Sequence, residues 1–259
     1  MLRRLRLNAR IYTLLLTLGC SIVPDLAPAP AVQPKLRPAR AISETQAEIL
    51  RRIQLRGRRV FENFAGIAGR RHSLVRVYDG ETRTLKHTIR LTADRKDYYE
   101  GLAEVTVLRY SKGERELPPS EFGYHEFEAP LPLFDEHGEK NYRFRLLPAV
   151  RIEGRLCHRL QVLPRANTKR HFRGDLYFAV DSLELKYLKG SYARLQIGLR
   201  SFWFAFHFRE HPLGVPVFTR GRAEGRVYFP LIRDEFVKSE MRMERQEPIR
   251  RGPDPQIRN

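Results

Sequence analysis

The sequence predicts an α+β chain that is mostly β: a curved antiparallel half-barrel of about ten strands, covered by one long N-terminal helix and a lid segment. Three observations predict it. A stretch after residue 43 repeats its apolar residues every three or four positions. From His72 onward the repeat shortens to two, over many short runs separated by polar turns. A single long interval, 111–138, interrupts that rhythm with prolines and aromatic residues.

The chain opens as a secretory signal. Arg3, Arg4, Arg6 and Arg10 precede an apolar run, Ile11–Val23, and then the small-residue stretch Ala29-Pro30-Ala31. The apolar run has 13 residues, against the roughly 20 a helix needs to cross a bilayer core, so cleavage is expected rather than a permanent span. Residues 1–31 are read as the signal peptide and 32–42 as a Pro/Ala linker. Thr17-Leu18-Gly19-Cys20 is similar to a degraded bacterial lipobox. Two exits are therefore open: release after Ala31 as a soluble periplasmic chain, or lipidation at Cys20 and anchoring. The mature chain keeps one cysteine, Cys157, and its stability has to come from a core, not from an internal disulfide.

Ser43 with Gln46 reads as a capping box, and Ile49, Ile53, Gly57, Val60 and Phe64 form one stripe of a helix of some 20 residues. Arg51, Arg52, Arg56, Arg58 and Arg59 fall mostly off that stripe. Leu85, His87, Ile89 and Leu91 alternate with polar residues, as do Val105 and Val107. Further strands are expected at 141–147, 155–163, 171–180, 183–189, 199–209, 215–220, 223–231 and 235–244, with Asp181-Ser182 as a tight turn. Residues 43–245 form one domain, and 246–259 read as a disordered, Pro-rich tail.

The interval 111–138 is too aromatic to stay in water, with Phe122, Tyr124, Phe127, Leu131, Leu133 and Phe134 among Pro118, Pro119, Pro130 and Pro132. Within it, Ser120-Glu121-Phe122-Gly123-Tyr124-His125-Glu126-Phe127 resembles a segment of bacterial outer-membrane lipoprotein-sorting proteins, relatives of the carriers LolA and LolB. Glu153–Pro164 and Gly174–Asp181 resemble later strands of the same superfamily; here Glu121 stands for an Asp and Phe127 for a Leu. The resemblance implies a half-barrel holding acyl chains in an apolar hollow, with Phe122, Tyr124 and Phe127 as its lid. From the residues themselves, Phe202, Phe204, Phe206 and Phe208 put four rings on one strand face. They either line such a hollow or fill the core under the helix.

His207-Phe208-Arg209-Glu210-His211 matches the zinc-peptidase pattern His-x-x-Glu-His. It continues an alternating run, and strand residues four apart lie about 13 Å apart, too far to ligate one ion. No catalytic residues, metal site or cofactor are expected. The net charge of +18 favours anionic partners, and export removes nucleic acid from them; the alternative is that the arginines face water. The expected function is a periplasmic carrier of lipid or lipoprotein acyl chains between inner and outer membrane, meeting an anionic membrane surface and an envelope transporter or receptor. The alternative is a non-catalytic adaptor of an envelope complex with the same fold.

Overall fold

The structure is a computed structural model that describes residues 45–99, 103–122, 132–135, 137–195, 198–229 and 233–252. The signal, the linker, Cys20, Tyr124 and Phe127 lie outside these residues. The described part holds an 18-residue helix, α1 (Gln46–Asn63), and eleven strands in one sheet. No described helix is long and apolar enough to cross a membrane.

Helix α1 begins two residues later than Ser43 suggests. Thr45 is the cap, its hydroxyl accepting from the Glu48 amide at 3.3 Å, because Thr45-Gln46-Ala47-Glu48 supplies the same cap chemistry closer to the apolar stripe. Glu48 also pairs with Arg51 on the exposed side. The helix ends at Asn63, where Phe64 turns directly into extended backbone. The Arg251 guanidinium donates to the Phe61 carbonyl at 2.8 Å and its amide to the Asn63 carbonyl at 3.1 Å, satisfying carbonyls left open by the helix end.

The strands are β1 (Phe64–Asp79), β2 (Leu85–Tyr98), β3 (Ala103–Lys112), β4 (Arg115–Leu117), β5 (Tyr142–Ile152), β6 (Arg155–Pro164), β7 (Phe172–Ala179), β8 (Leu185–Tyr192), β9 (Leu199–Glu210), β10 (Pro216–Phe229) and β11 (Arg233–Arg250). All neighbours pair antiparallel in the order β4-β3-β2-β1-β11-β10-β9-β8-β7-β6-β5. The sheet is open, with β4 and β5 as its edges. This is the half-barrel with one N-terminal helix that the sequence predicts.

Three boundaries differ. Strand β1 starts at Phe64 rather than near His72, since Gly66 and Gly69 hide the alternation of that stretch. A Cβ on Gly66 would run into the Asp97–Tyr98 backbone of β2, so glycine lets the two strands close. The two runs expected at 215–220 and 223–231 are one strand, β10, which absorbs the irregularity as a bulge between Phe218 and Arg220. Strand β11 runs on through Arg250, so residues 246–250 lie in the sheet and not in a tail: Glu247, Pro248 and Ile249 pair with Ala68, Ile67 and Gly66. Strand β10 stops pairing with β11 at Arg242, which leaves the far side of this stretch free and makes Pro248 tolerable.

One face of the sheet is apolar. Val75, Val77, Ile89 and Leu91 from β1 and β2 join Leu160, Val162, Leu176 and Phe178 from β6 and β7 in a single cluster with Ile53 of α1. Residues 118–141 connect one edge of the sheet to the other, since they leave β4 and enter β5. They begin with a short 3-10 turn, Pro119–Glu121, and end in a single helical turn, α2 (Gly138–Asn141).

Candidate functional site

Strand β9 alternates so that Phe202, Phe204, Phe206 and Phe208 project from its helix-side face while Trp203, Ala205 and His207 project from the other. Successive rings touch: Phe202 and Phe204 centroids are 5.8 Å apart, Phe204 and Phe206 5.1 Å. Phe218 of β10 meets Phe206 edge-on at 5.1 Å and Phe208 at 6.2 Å. Phe202 and Phe204 are 5% and 4% exposed, inside the same cluster as Ile53; Phe206 and Phe208 are half-buried.

The row fits because its neighbours are small. Gly225, Ala223 and Gly221 of β10 stand opposite Phe202, Phe204 and Phe206, and Gly190 of β8 stands opposite Phe204. A Cβ on Gly221 would lie 2.7 Å from Cε1 of Phe206, so the ring occupies the place of a side chain. Phe172 of β7 does the same over the paired Gly174 and Gly190, and meets Phe204 at 5.8 Å. The sequence carries a signal for this that period counting misses: Phe-x-Phe-x-Phe on one strand answered by Gly-x-Ala-x-Gly, residues 221–225, on the next.

Of the three residues expected to form a lid, Phe122 is described; it is buried and packs edge-on against Tyr110 of β3 at 5.4 Å. At the other end of the same connection Phe134 stacks on Phe144 of β5 at 5.7 Å and fits under α1 at Gly57, where a Cβ would lie 2.5 Å from its ring. The connection is thus fixed to the apolar face at both sheet edges. Burial also acts on two tyrosines, Tyr192 beside Phe202 and Tyr99 beside Phe61: it pushes the Tyr192 phenol well above its ordinary range and that of Tyr99 up to about 12, so both stay neutral.

Beside the ring row lies a cavity of about 420 Å³, between α1 and the turns that follow β7 and β9. Leu55, Val60, Leu183 and Leu213 give it apolar walls, and Arg52 and Arg59 stand on its rim. Glu210, two residues beyond Phe208 on the same strand face, is part of its wall and pairs with Arg56, which also donates to the Ser182 carbonyl at 3.2 Å. Among the described residues of α1, Ile53 alone is fully buried. Ile49 and Leu50 pack against the core beside it, and at the cleft the helix meets the sheet through the Arg56–Glu210 pair.

The three members of His-x-x-Glu-His face three different partners. His207 lies 3.4 Å from Glu153, Glu210 pairs with Arg56, and His211 lies 3.7 Å from Glu247. Desolvation lowers the His207 pKa, despite the carboxylate of Glu153 beside it. Among the described residues no three His, Cys, Asp or Glu side chains come close enough to share a metal ion.

A larger cavity, of about 1000 Å³, lies on the opposite face of the sheet. It runs across the strands between two rows of side chains that the ladder brings together from distant sequence. His207, Arg220, Arg242, His72, Thr92 and Arg109 pair in succession to form one wall. Arg222, Glu240, Leu74, Arg90 and Ser111 form the other.

The fold and the cleft together define a class: an open antiparallel half-barrel whose apolar face is covered by a helix, with a cavity at the helix rim. No family model and no curated protein sequence matches the chain. Among solved structures it is similar to a LolA superfamily protein from Nitrosomonas europaea, at 12% identity over 81% of this chain and 97% of that chain, with a TM-score of 0.38. It is also similar to an outer-membrane lipoprotein-sorting protein domain from Vibrio parahaemolyticus, at 10% identity over 81% and 94% of the two chains, TM-score 0.38. A third similarity is to the MucA/MucB complex structure from Pseudomonas aeruginosa, at 10% identity over 78% and 98%, TM-score 0.22.

Proposed function

We propose that this chain is a periplasmic carrier that binds a lipid, or the acyl chains of a lipoprotein, between α1 and the phenylalanine row of β9, and moves it between inner and outer membrane. The observation that carries this reading is the cleft at the helix rim. Its wall includes Glu210, which lies on the strand face that carries Phe202, Phe204, Phe206 and Phe208, and its arginines sit where an acyl chain's polar end would emerge. An acyl chain needs only non-directional apolar surface, and each buried CH₂ contributes about 0.8 kcal/mol, so a partly inserted chain already binds usefully.

Insertion would work by displacing α1, which has one fully buried side chain among its described residues and an arginine–glutamate latch, Arg56–Glu210. The lid residues Phe122, Tyr124 and Phe127 would then pack on the inserted chain. Transfer proceeds down an affinity gradient and calls for no cofactor. Processing at Ala31 would give a soluble shuttle, and processing at Cys20 an anchored receptor.

A second reading, a non-catalytic adaptor in an envelope complex, is favoured by one observation: Phe202 and Phe204 are already packed against one another and their neighbours. Uptake of a fluorescent fatty acid separates the two. The carrier takes it up, and the double substitution Leu55→Glu with Leu213→Glu, at two exposed positions of the cleft, abolishes uptake while the circular dichroism spectrum is unchanged. An adaptor takes up none in either form.

A further inference from the structure

We propose that the sheet face turned away from α1 carries a second site, a trough that holds an extended acidic peptide. The trough is the cavity of about 1000 Å³ between the two side-chain rows. Its floor is backbone: Gly221, Met241, Ser73 and Leu91 pair in succession and alternate with the wall residues, so their side chains turn to the apolar face. The lining reaches from β9 to β4, seven strands in the sheet order. At about 4.8 Å per strand it is roughly 30 Å long. That is the reach of about eight extended residues at roughly 3.4 Å each.

Charge along the trough is ordered. Acidic groups close both ends, Glu153 at the β9 end and Glu114 and Glu116 at the β4 end. The arginines next to them are already matched: Arg220 pairs with Glu153, and Arg109 with Glu116 at 3.1 Å. Toward the middle stand Arg222, Arg242 and Arg90. Arg222 lies 5.5 Å from the Trp203 ring, Arg242 is 3.6 Å from Glu244 on its own strand, and Arg90 donates to the Gly113 carbonyl at 3.4 Å. Glu240, the carboxylate among them, is engaged by Arg76 at 2.9 Å. The complement of such a trough is a chain with acidic residues at its centre and none at its ends.

Peptide is the polymer this lining favours. Guanidinium groups pair carboxylates in a fixed, two-pronged geometry. Of the rings in the lining, that of Tyr110 turns to the other face and packs on Phe122, which leaves the imidazoles of His72 and His207 in one wall and no phenyl or indole ring for a sugar to stack on. The walls come from the middle of paired strands, whose backbone groups are used in the ladder; recognition therefore runs through side chains rather than by strand addition.

The test is fluorescence anisotropy of a fluorescein-labelled peptide, Gly-Ser-Glu-Asp-Glu-Asp-Ser-Gly, against the mature chain at low salt. The amide version, with Gln and Asn in place of Glu and Asp, serves as control. The trough predicts binding of the acidic peptide only. It also predicts affinity at least about tenfold weaker for the double variant Arg90→Glu with Arg242→Glu, since like charges then face the ligand. The variant Arg143→Glu, on the β5 edge away from the trough, should match wild type. Equal binding of the two peptides, equal losses in both variants, or displacement of the peptide by polygalacturonate at equal charge would each overturn the proposal. Fatty-acid uptake by the double variant should be that of wild type, which keeps the two sites' tests apart.

Discussion

At the turn between β1 and β2, the Asp79 carboxylate accepts from the Thr82 amide at 3.0 Å, faces Lys86 at 3.2 Å and accepts from the Glu81 amide at 3.1 Å. These contacts hold its pKa down from the ordinary 3.8 to about 2. A depressed carboxylate stabilises the fold above its unfolded pKa and loses that contribution as pH falls from about 4 to about 2. Thermal melts of Asp79→Asn should therefore show a Tm deficit at pH 6 that closes in that window; a deficit constant down to pH 2 would assign the residue no titrating role. The glycines under the rings make a second prediction at this scale. Gly190→Ala places a Cβ 2.6 Å from the Phe172 ring and against the β7 backbone, and should cost about 1–3 kcal/mol by overpacking in a denaturant titration. The same substitution at Gly113, where nothing lies within 4 Å, meets no neighbour, though its φ of 64° still favours glycine.

Helix α1 and strand β11 share one support, since Arg251 closes the helix end at Phe61 while residues just before it pair with the start of β1. Ending the chain at Arg245 should therefore weaken two elements together, at about 1 kcal/mol for each backbone hydrogen bond lost. The expected result is a lower unfolding midpoint with reduced helical signal at 222 nm; an unchanged midpoint would mean that the strand end carries no load. This stretch also shows where sequence reading stops. Most strands were legible because one face is buried and the other wet, which writes a period of two into residues such as Leu85–Leu91 and Phe202–Phe208. Where the buried side is glycine, as at Gly66 and Gly69, or where the strand carries charge and proline, as at Glu247-Pro248, no such period is written, and pairing is decided by β1 across the ladder. The phenylalanine row was visible in the sequence for the same reason that β9 was. The cleft beside it was not, because Leu55, Leu183 and Leu213 come from a helix and two turns with no common spacing.

Across the whole molecule the sheet has two faces of different chemistry. One is the apolar face, to which α1 and both ends of the 118–141 connection are fixed. The other is a charged face on which lysine and arginine lie over aromatic rings, as Arg200 does over Tyr228 at 3.4 Å. The trough on that face could not be read from the sequence at all: its five arginines are scattered over four strands, and only the register brings them into two walls. A chain of net charge +18 with an apolar cleft on one face and a charged trough on the other would, on the two proposals above, hold an acyl chain on one side and meet an anionic partner on the other.

The most direct measurement of the central claim is native mass spectrometry of the purified mature chain, with and without added fatty acid, beside the Leu55→Glu, Leu213→Glu double variant. The account predicts a one-to-one adduct with the mass of a lipid on the wild-type chain and none on the variant. A wild-type chain that emerges without lipid and takes up no fatty acid would contradict it, and would leave the packed phenylalanine row as core and the protein as an adaptor.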